Sequence, residues 1–86
     1  MTTVVTLYGR ADCHLCDEAA ALLVAIRTEQ RLDFTVEKVD ITTDPALERD
    51  YRWAIPVVHC DGREIARAPV RRDRLEDALR EALDIG

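Results

Sequence analysis

No apolar run in this chain approaches the length needed to cross a membrane, and Met1 to Tyr8 holds neither a basic segment nor a long apolar one. A cytoplasmic protein with no membrane partner is therefore expected. Cysteine is scarce, at three residues in 86. In a reducing compartment three cysteines do not suggest a structural disulfide framework, and a close pair points to redox chemistry or metal instead. A clustered basic face is also missing. Net charge is -5, and the one dense basic group, Arg71, Arg72 and Arg74, is diluted by Asp73, Glu76 and Asp77. Nucleic acid is therefore not an expected partner, because neutralising phosphates takes a concentrated basic surface. That segment reads as a solvated helix start with room for a small anion contact. Internal repeats, low-complexity segments and Gly/Ser linkers are absent, so residues 1–86 read as a single domain, expected to be monomeric.

What is present is a 48% hydrophobic composition, enough for one modest core, with 34% charged residues to cover it. Val4 to Tyr8 is a β-branched and aromatic run ended by Gly9, and reads as a strand. From about Cys13 to Thr28 the period changes. Leu15, Ala19, Leu22, Leu23 and Ile26 form an apolar helical stripe, which Ala20, Ala21, Val24 and Ala25 widen. The helix is expected to be buried over much of its circumference. Phe34 to Ile41 reads as a second strand covered on both faces, with Val36 and Val39 on opposite parities. Asp44-Pro45 opens a second helix as N-cap and first turn, ending before Trp53. Ile55 to Cys60 and Arg63 to Ala66 flank Asp61-Gly62, a two-residue hairpin signal. Asp73 with Glu76 reads as a capping box for a last helix whose apolar face is Leu75, Ala78, Leu79, Ala82 and Leu83. The order βαβαββα predicts an α/β fold: a four-stranded mixed sheet with three helices.

The chemistry concentrates at Cys13-His14-Leu15-Cys16, where the first strand gives way to the first helix. An i, i+3 spacing on a helical turn places the two Cβ atoms about 5–6 Å apart, within reach of disulfide closure. Cys13 falls at the helix N-terminus, where free amides and the macrodipole stabilise a thiolate, and Cys16 falls nearer the apolar stripe. Cys13 is thus the expected nucleophile and Cys16 the resolving thiol. Arg10 and a protonated His14 favour the thiolate, while Asp12, Asp17 and Glu18 oppose it from the solvent side. Asp12 is also placed to help cap the helix. Two other readings fit the same residues. One is metal or iron–sulfur binding through Cys13 with Cys16 or Cys60. The other is a non-catalytic interaction or redox-sensing module. Cys60 and His59 could add zinc ligands, but their spacing is not that of a zinc ribbon, and a buried cysteine is most often simply packed.

A Cys-x-x-Cys after strand one, followed about forty residues later by Ile55-Pro56-Val57 and a hairpin, resembles a glutaredoxin. Leu7-Tyr8-Gly9-Arg10, Cys13-His14-Leu15-Cys16-Asp17, Val39-Asp40-Ile41 and Asp44-Pro45 are similar to a group of small, mostly bacterial glutaredoxin-like proteins of the thioredoxin superfamily. The resemblance implies a thioredoxin-like, glutaredoxin-type fold and a thiol–disulfide oxidoreductase in cellular electron transport. Its redox-active disulfide, in the reduced dithiol form, would reduce protein or glutathione mixed disulfides, with no tightly bound cofactor and no metal. It further implies that Pro56 is a cis proline beside the cysteines, that the Ile55 backbone pairs with substrate, and that Arg10 and His14 lie along the substrate site. Glutathione, as cosubstrate, or a thioredoxin-type reductant would return the electrons. Two places depart from the pattern: His14 stands where glutaredoxins have proline, and Ala66-Arg67 stands where they have the Gly-Gly pair that helps hold glutathione. Side chains at that pair would obstruct the close backbone approach that glycine permits.

Overall fold

The computed structural model describes residues 2–84. Strand β1 (Thr3–Gly9) is followed by helix α1 (His14–Gln30), strand β2 (Phe34–Asp40) and a single 3-10 turn at Ile41–Thr43. Helix α2 (Pro45–Tyr51), strands β3 (Val57–Cys60) and β4 (Arg63–Arg67), and helix α3 (Arg72–Ala82) complete the chain. The sheet order is β2-β1-β3-β4. β1 runs parallel to β2, and the pairs β1–β3 and β3–β4 are antiparallel, so the sheet is mixed. This is the four-stranded, three-helix thioredoxin-like architecture in the order βαβαββα.

One face of the sheet carries the core. Val5, Leu7, Phe34, Val58 and Cys60 point into it and meet Ala19, Leu23 and Ile26 of α1 and Leu75 and Leu79 of α3. Leu23, Ile26, Leu75 and Leu79 are wholly removed from solvent. Each such side chain contributes about 1.5–3 kcal/mol of transfer free energy. Arg72 ties α3 back to Glu29 of α1 and to Glu76 on its own helix. On the opposite face lies α2, none of whose residues is fully buried.

Local chemistry explains most of the boundaries. Asp44 caps α2 by accepting from the Ala46 N–H at 2.9 Å, with Pro45 at the first helical position. Asp61 and Gly62 both take positive φ, 50° and 85°, which is the two-residue turn that joins strands of native twist. Four local expectations are corrected. α1 is amphipathic rather than buried all round, with Leu15 and Val24 exposed. β2 is an edge strand with only Phe34 fully buried, so its two valines are half-covered. The cap of α1 is Cys13, not Asp12, which sits in a turn at φ 58°. Asp73 is not a capping residue either: α3 starts at Arg72, its N-cap Arg71 makes no side-chain cap bond, and Glu76 pairs with Arg72.

Candidate functional site

β1 ends at Gly9, and the chain turns through Arg10–Asp12 before α1 begins at His14. Cys13 occupies the N-cap in an extended conformation, and its sulfur accepts the Cys16 backbone N–H at 3.1 Å. A cysteine sulfur thus takes the place of the oxygen that usually satisfies a first-turn amide. Cys13 and Cys16 form a disulfide with their Cα atoms 5.2 Å apart. The two sulfurs differ in environment. Cys13 is half-exposed, whereas Cys16 is 5% exposed and packs on the backbone of Gly9. A Cβ at Gly9 would stand 3.0 Å from the Cys16 sulfur, a tighter contact than side chains ordinarily make, so Cys16 seats best against a glycine.

Pro56 lies across from this junction, buried, with Ile55 half-buried ahead of it, and the Ile55–Pro56 peptide is cis. A second cis peptide, Ala68–Pro69, lies alongside. The Ala68 N–H joins the two segments, donating to the Pro56 carbonyl at 2.9 Å and to Ala54 at 3.3 Å. Between this pair of proline turns and α1 runs an apolar groove of about 620 Å³, lined by Leu15, Leu22, Pro56, Ala68, Pro69 and Val70 among others. It begins at Leu15, inside the Cys13–Cys16 loop. A smaller hollow of about 290 Å³ opens on the other side, where Cys16 meets Gly9, Arg10, Asp17, Lys38 and Asp40.

Of the residues singled out in the sequence, Cys13, Cys16, Leu15 and Pro56 come together at one end of the sheet, and Arg10 borders the smaller hollow. Its charge helps hold the Asp40 carboxyl below the usual range, after the larger effect of hydrogen bonds from the Thr42 hydroxyl and N–H. His14 projects into solvent and faces Glu18 at 3.5 Å. Arg67 turns away from the groove and binds Glu64 through two bonds of 2.7 Å. Cys60 is not part of the site. It pairs with Val5, four positions from Gly9, which at about 3.3 Å per residue places it about 13 Å away. Burial pushes its thiol pKa up, with the neighbouring Asp61 charge adding to the effect. Among the described residues no three His, Cys, Asp or Glu side chains gather as metal ligands. No helix among them is long and apolar enough to cross a membrane.

Two features escaped the sequence reading. Ala68-Pro69 reads as ordinary loop, and only the Ala68 hydrogen bonds reveal it as part of the groove wall. On the far face of the sheet, Tyr8, Tyr51 and His59 cluster, with ring centroids 4.8–6.1 Å apart. Tyr8 lies on β1 and His59 on β3, and Tyr51, on α2, joins them only in three dimensions.

Comparison with known proteins agrees with this architecture. The model of the Glutaredoxin-like domain (DUF836) family matches residues 4–80. The X-ray structure of target protein XcR50 from X. campestris is 37% identical, with a TM-score of 0.76, over 90% of this chain and 96% of that one. Protein Ne2328 from Nitrosomonas europaea, solved by NMR, is 25% identical, with a TM-score of 0.74, over 90% and 91% of the two chains. Thioredoxin 1 from Thermosipho africanus, at 15% identity, a TM-score of 0.62 and 94% of each chain, shares the fold. With the family model spanning β1 to α3 and a Cys13–Cys16 disulfide at the head of α1, this chain belongs to the Glutaredoxin-like domain (DUF836) family of thioredoxin-fold proteins.

Proposed function

We propose that the protein is a dithiol–disulfide oxidoreductase in which Cys13 is the nucleophile and Cys16 the resolving thiol. The observation that carries this reading is the unequal seating of the two sulfurs at one helix start. Cys13 is accessible at the N-cap, where the amide donors of the first turn favour an anionic sulfur. Cys16, 5% exposed, is shielded from solvent but within bonding reach of the Cys13 sulfur.

In the reduced protein, the Cys13 thiolate attacks one sulfur of a substrate disulfide. A Cys13–substrate bond forms, the substrate S–S bond breaks, and the second substrate sulfur leaves as a thiolate. Cys16, deprotonated, then attacks the Cys13 sulfur. The Cys13–Cys16 bond forms and the first substrate thiolate is released, so two electrons have passed to the substrate. Two molecules of glutathione, or one thioredoxin-type dithiol, supply two electrons to the Cys13–Cys16 disulfide by the same kind of exchange and leave as a disulfide.

Ile55 supplies the backbone edge on which the substrate aligns, with Pro56 beside the sulfurs, and Arg10 and His14 border the approach. The substrate class best suited to an apolar groove at Leu15 and Pro56 is a disulfide carried on a peptide rather than glutathione alone. Ala66-Arg67, with Arg67 bound to Glu64, leaves no Gly-Gly cradle.

The test is disulfide reduction by single-cysteine variants. Cys13→Ser is expected to abolish turnover, and Cys16→Ser to accumulate a mixed disulfide visible by mass spectrometry. Turnover by Cys13→Ser at the wild-type rate would sink the reading.

A further inference from the structure

Pro56 lines the groove that begins at Leu15, between Cys13 and Cys16, but what holds that segment lies on the other face of the sheet. Helix α2 ends at Tyr51, and the next residues, Arg52 to Pro56, form the turn that leads into β3. No α2 side chain is fully buried. The helix therefore has no apolar anchor of the kind that fixes α1 and α3. Besides the half-buried Leu47, it is held by the Tyr51 ring, which packs at 5.3 Å from Tyr8 of β1 and 6.1 Å from His59 of β3. The Tyr51 hydroxyl is hydrogen-bonded to His59 Nε2 at 3.2 Å. Tyr8 and His59 themselves meet edge to face at 4.8 Å, so the three rings form a closed triangle.

The same residue also grips the turn. The Tyr51 carbonyl accepts both the Ala54 N–H, at 2.8 Å, and the Ile55 N–H, at 3.0 Å. Through its ring Tyr51 is registered to two central strands, and through its carbonyl it sets where Ile55 begins. We infer that Tyr51, seated by His59 and Tyr8, is a positioning residue for substrate: it places the Ile55 backbone, which aligns the incoming disulfide with Cys13. This inference rests on the oxidoreductase reading and adds the element that fixes its substrate-binding edge.

The charged surroundings are compatible with that role. Across the β3–β4 pair His59 is opposite Glu64, which is itself bound by Arg67. Burial, with the Glu64 charge next in size, raises the Tyr51 pKa, so the hydroxyl keeps its proton. Exchange at the sulfurs does not pass through this cluster. Loss of the clamp is therefore expected to weaken substrate binding while leaving the intrinsic reactivity of Cys13 untouched.

The experiment compares Tyr51→Phe, Tyr51→Leu and His59→Phe with the wild type. Three quantities are read: KM and kcat for a peptide disulfide, and the rate at which a small alkylating reagent modifies reduced Cys13. Tyr51→Phe and His59→Phe keep aromatic packing and lose one hydrogen bond. They are expected to raise KM by about two- to tenfold, the effect of a single neutral bond. Tyr51→Leu should raise KM further, with the Phe variant restoring most of the difference. Alkylation rate and kcat should stay within twofold of wild type. An unchanged KM in Tyr51→Leu would overturn the inference, as would a fall in KM-dependent and alkylation rates together, which marks general loosening. Wild-type activity in Cys13→Ser would instead overturn the underlying reading, so the two failures are distinguishable.

Discussion

Gly9 shows how much one missing side chain can determine. Its backbone forms the surface on which Cys16 sits, with a hypothetical Cβ only 3.0 Å from the sulfur and 3.1 Å from the Cys16 Cβ. Cys16 cannot easily yield, because it is buried, lies in the first turn of α1 and is bonded to Cys13. Gly9→Ala is therefore expected to destabilise the oxidised protein by about 1–3 kcal/mol, the usual range for overpacking a tight site. Thermal unfolding measures it, and an unchanged midpoint would mean that α1 slides to make room. The importance of Cys13 and Cys16 was legible from spacing alone. That of Gly9 was not, since a glycine closing a strand reads first as a strand terminator.

Among the elements, α3 is the least well begun. Its N-cap is Arg71, whose side chain makes no cap bond and brings positive charge to the positive end of the helix dipole. Packing of Leu75 and Leu79, both fully buried, holds the helix in spite of its start. Arg71→Asp is expected to add about 1 kcal/mol by supplying the missing acceptor and reversing the unfavourable charge. In a domain of this size that corresponds to a rise of about 4–8 °C in the unfolding midpoint, measurable by calorimetry. The capping box at Asp73 and Glu76 was a reasonable reading of the pattern. It fails because Arg72 finds two partners, Glu29 on α1 and Glu76 one turn along α3, and those bonds hold Arg72 inside the helix. By contrast, Asp44-Pro45 and Asp61-Gly62 were readable from sequence because their effects are confined to a single turn.

At the scale of the whole molecule, two carboxylates link stability to acid. Hydrogen bonds from Thr42 hold the Asp40 carboxyl below its ordinary value, and those from Arg67 do the same for Glu64. A carboxyl whose pKa is depressed by folding stabilises the folded state above its unfolded pKa, and the contribution is lost as pH falls through the folded value. Stability is thus expected to be level near neutrality and to decline below about pH 4. Denaturant titrations at several pH values follow this, and Asp40→Asn should flatten part of the decline. A decline of equal depth in that variant would assign the acid sensitivity elsewhere. Both groups are solvent-accessible, so salt should reduce the Glu64–Arg67 share.

By itself the sequence determined the order of elements, the Cys13–Cys16 pair at a helix start and the turn chemistry between strands. All of these depend on residues within a few positions of one another. It also carried the likeness to glutaredoxins through motifs spread over most of the chain. Only the tertiary structure decided that Cys60 is remote and that two proline turns share one groove wall. The same is true of Tyr51, which reaches across to Tyr8 and His59 on the far face. These facts depend on strand register and on which helix covers which face. Both are settled by packing between segments far apart in the chain, which no local pattern encodes.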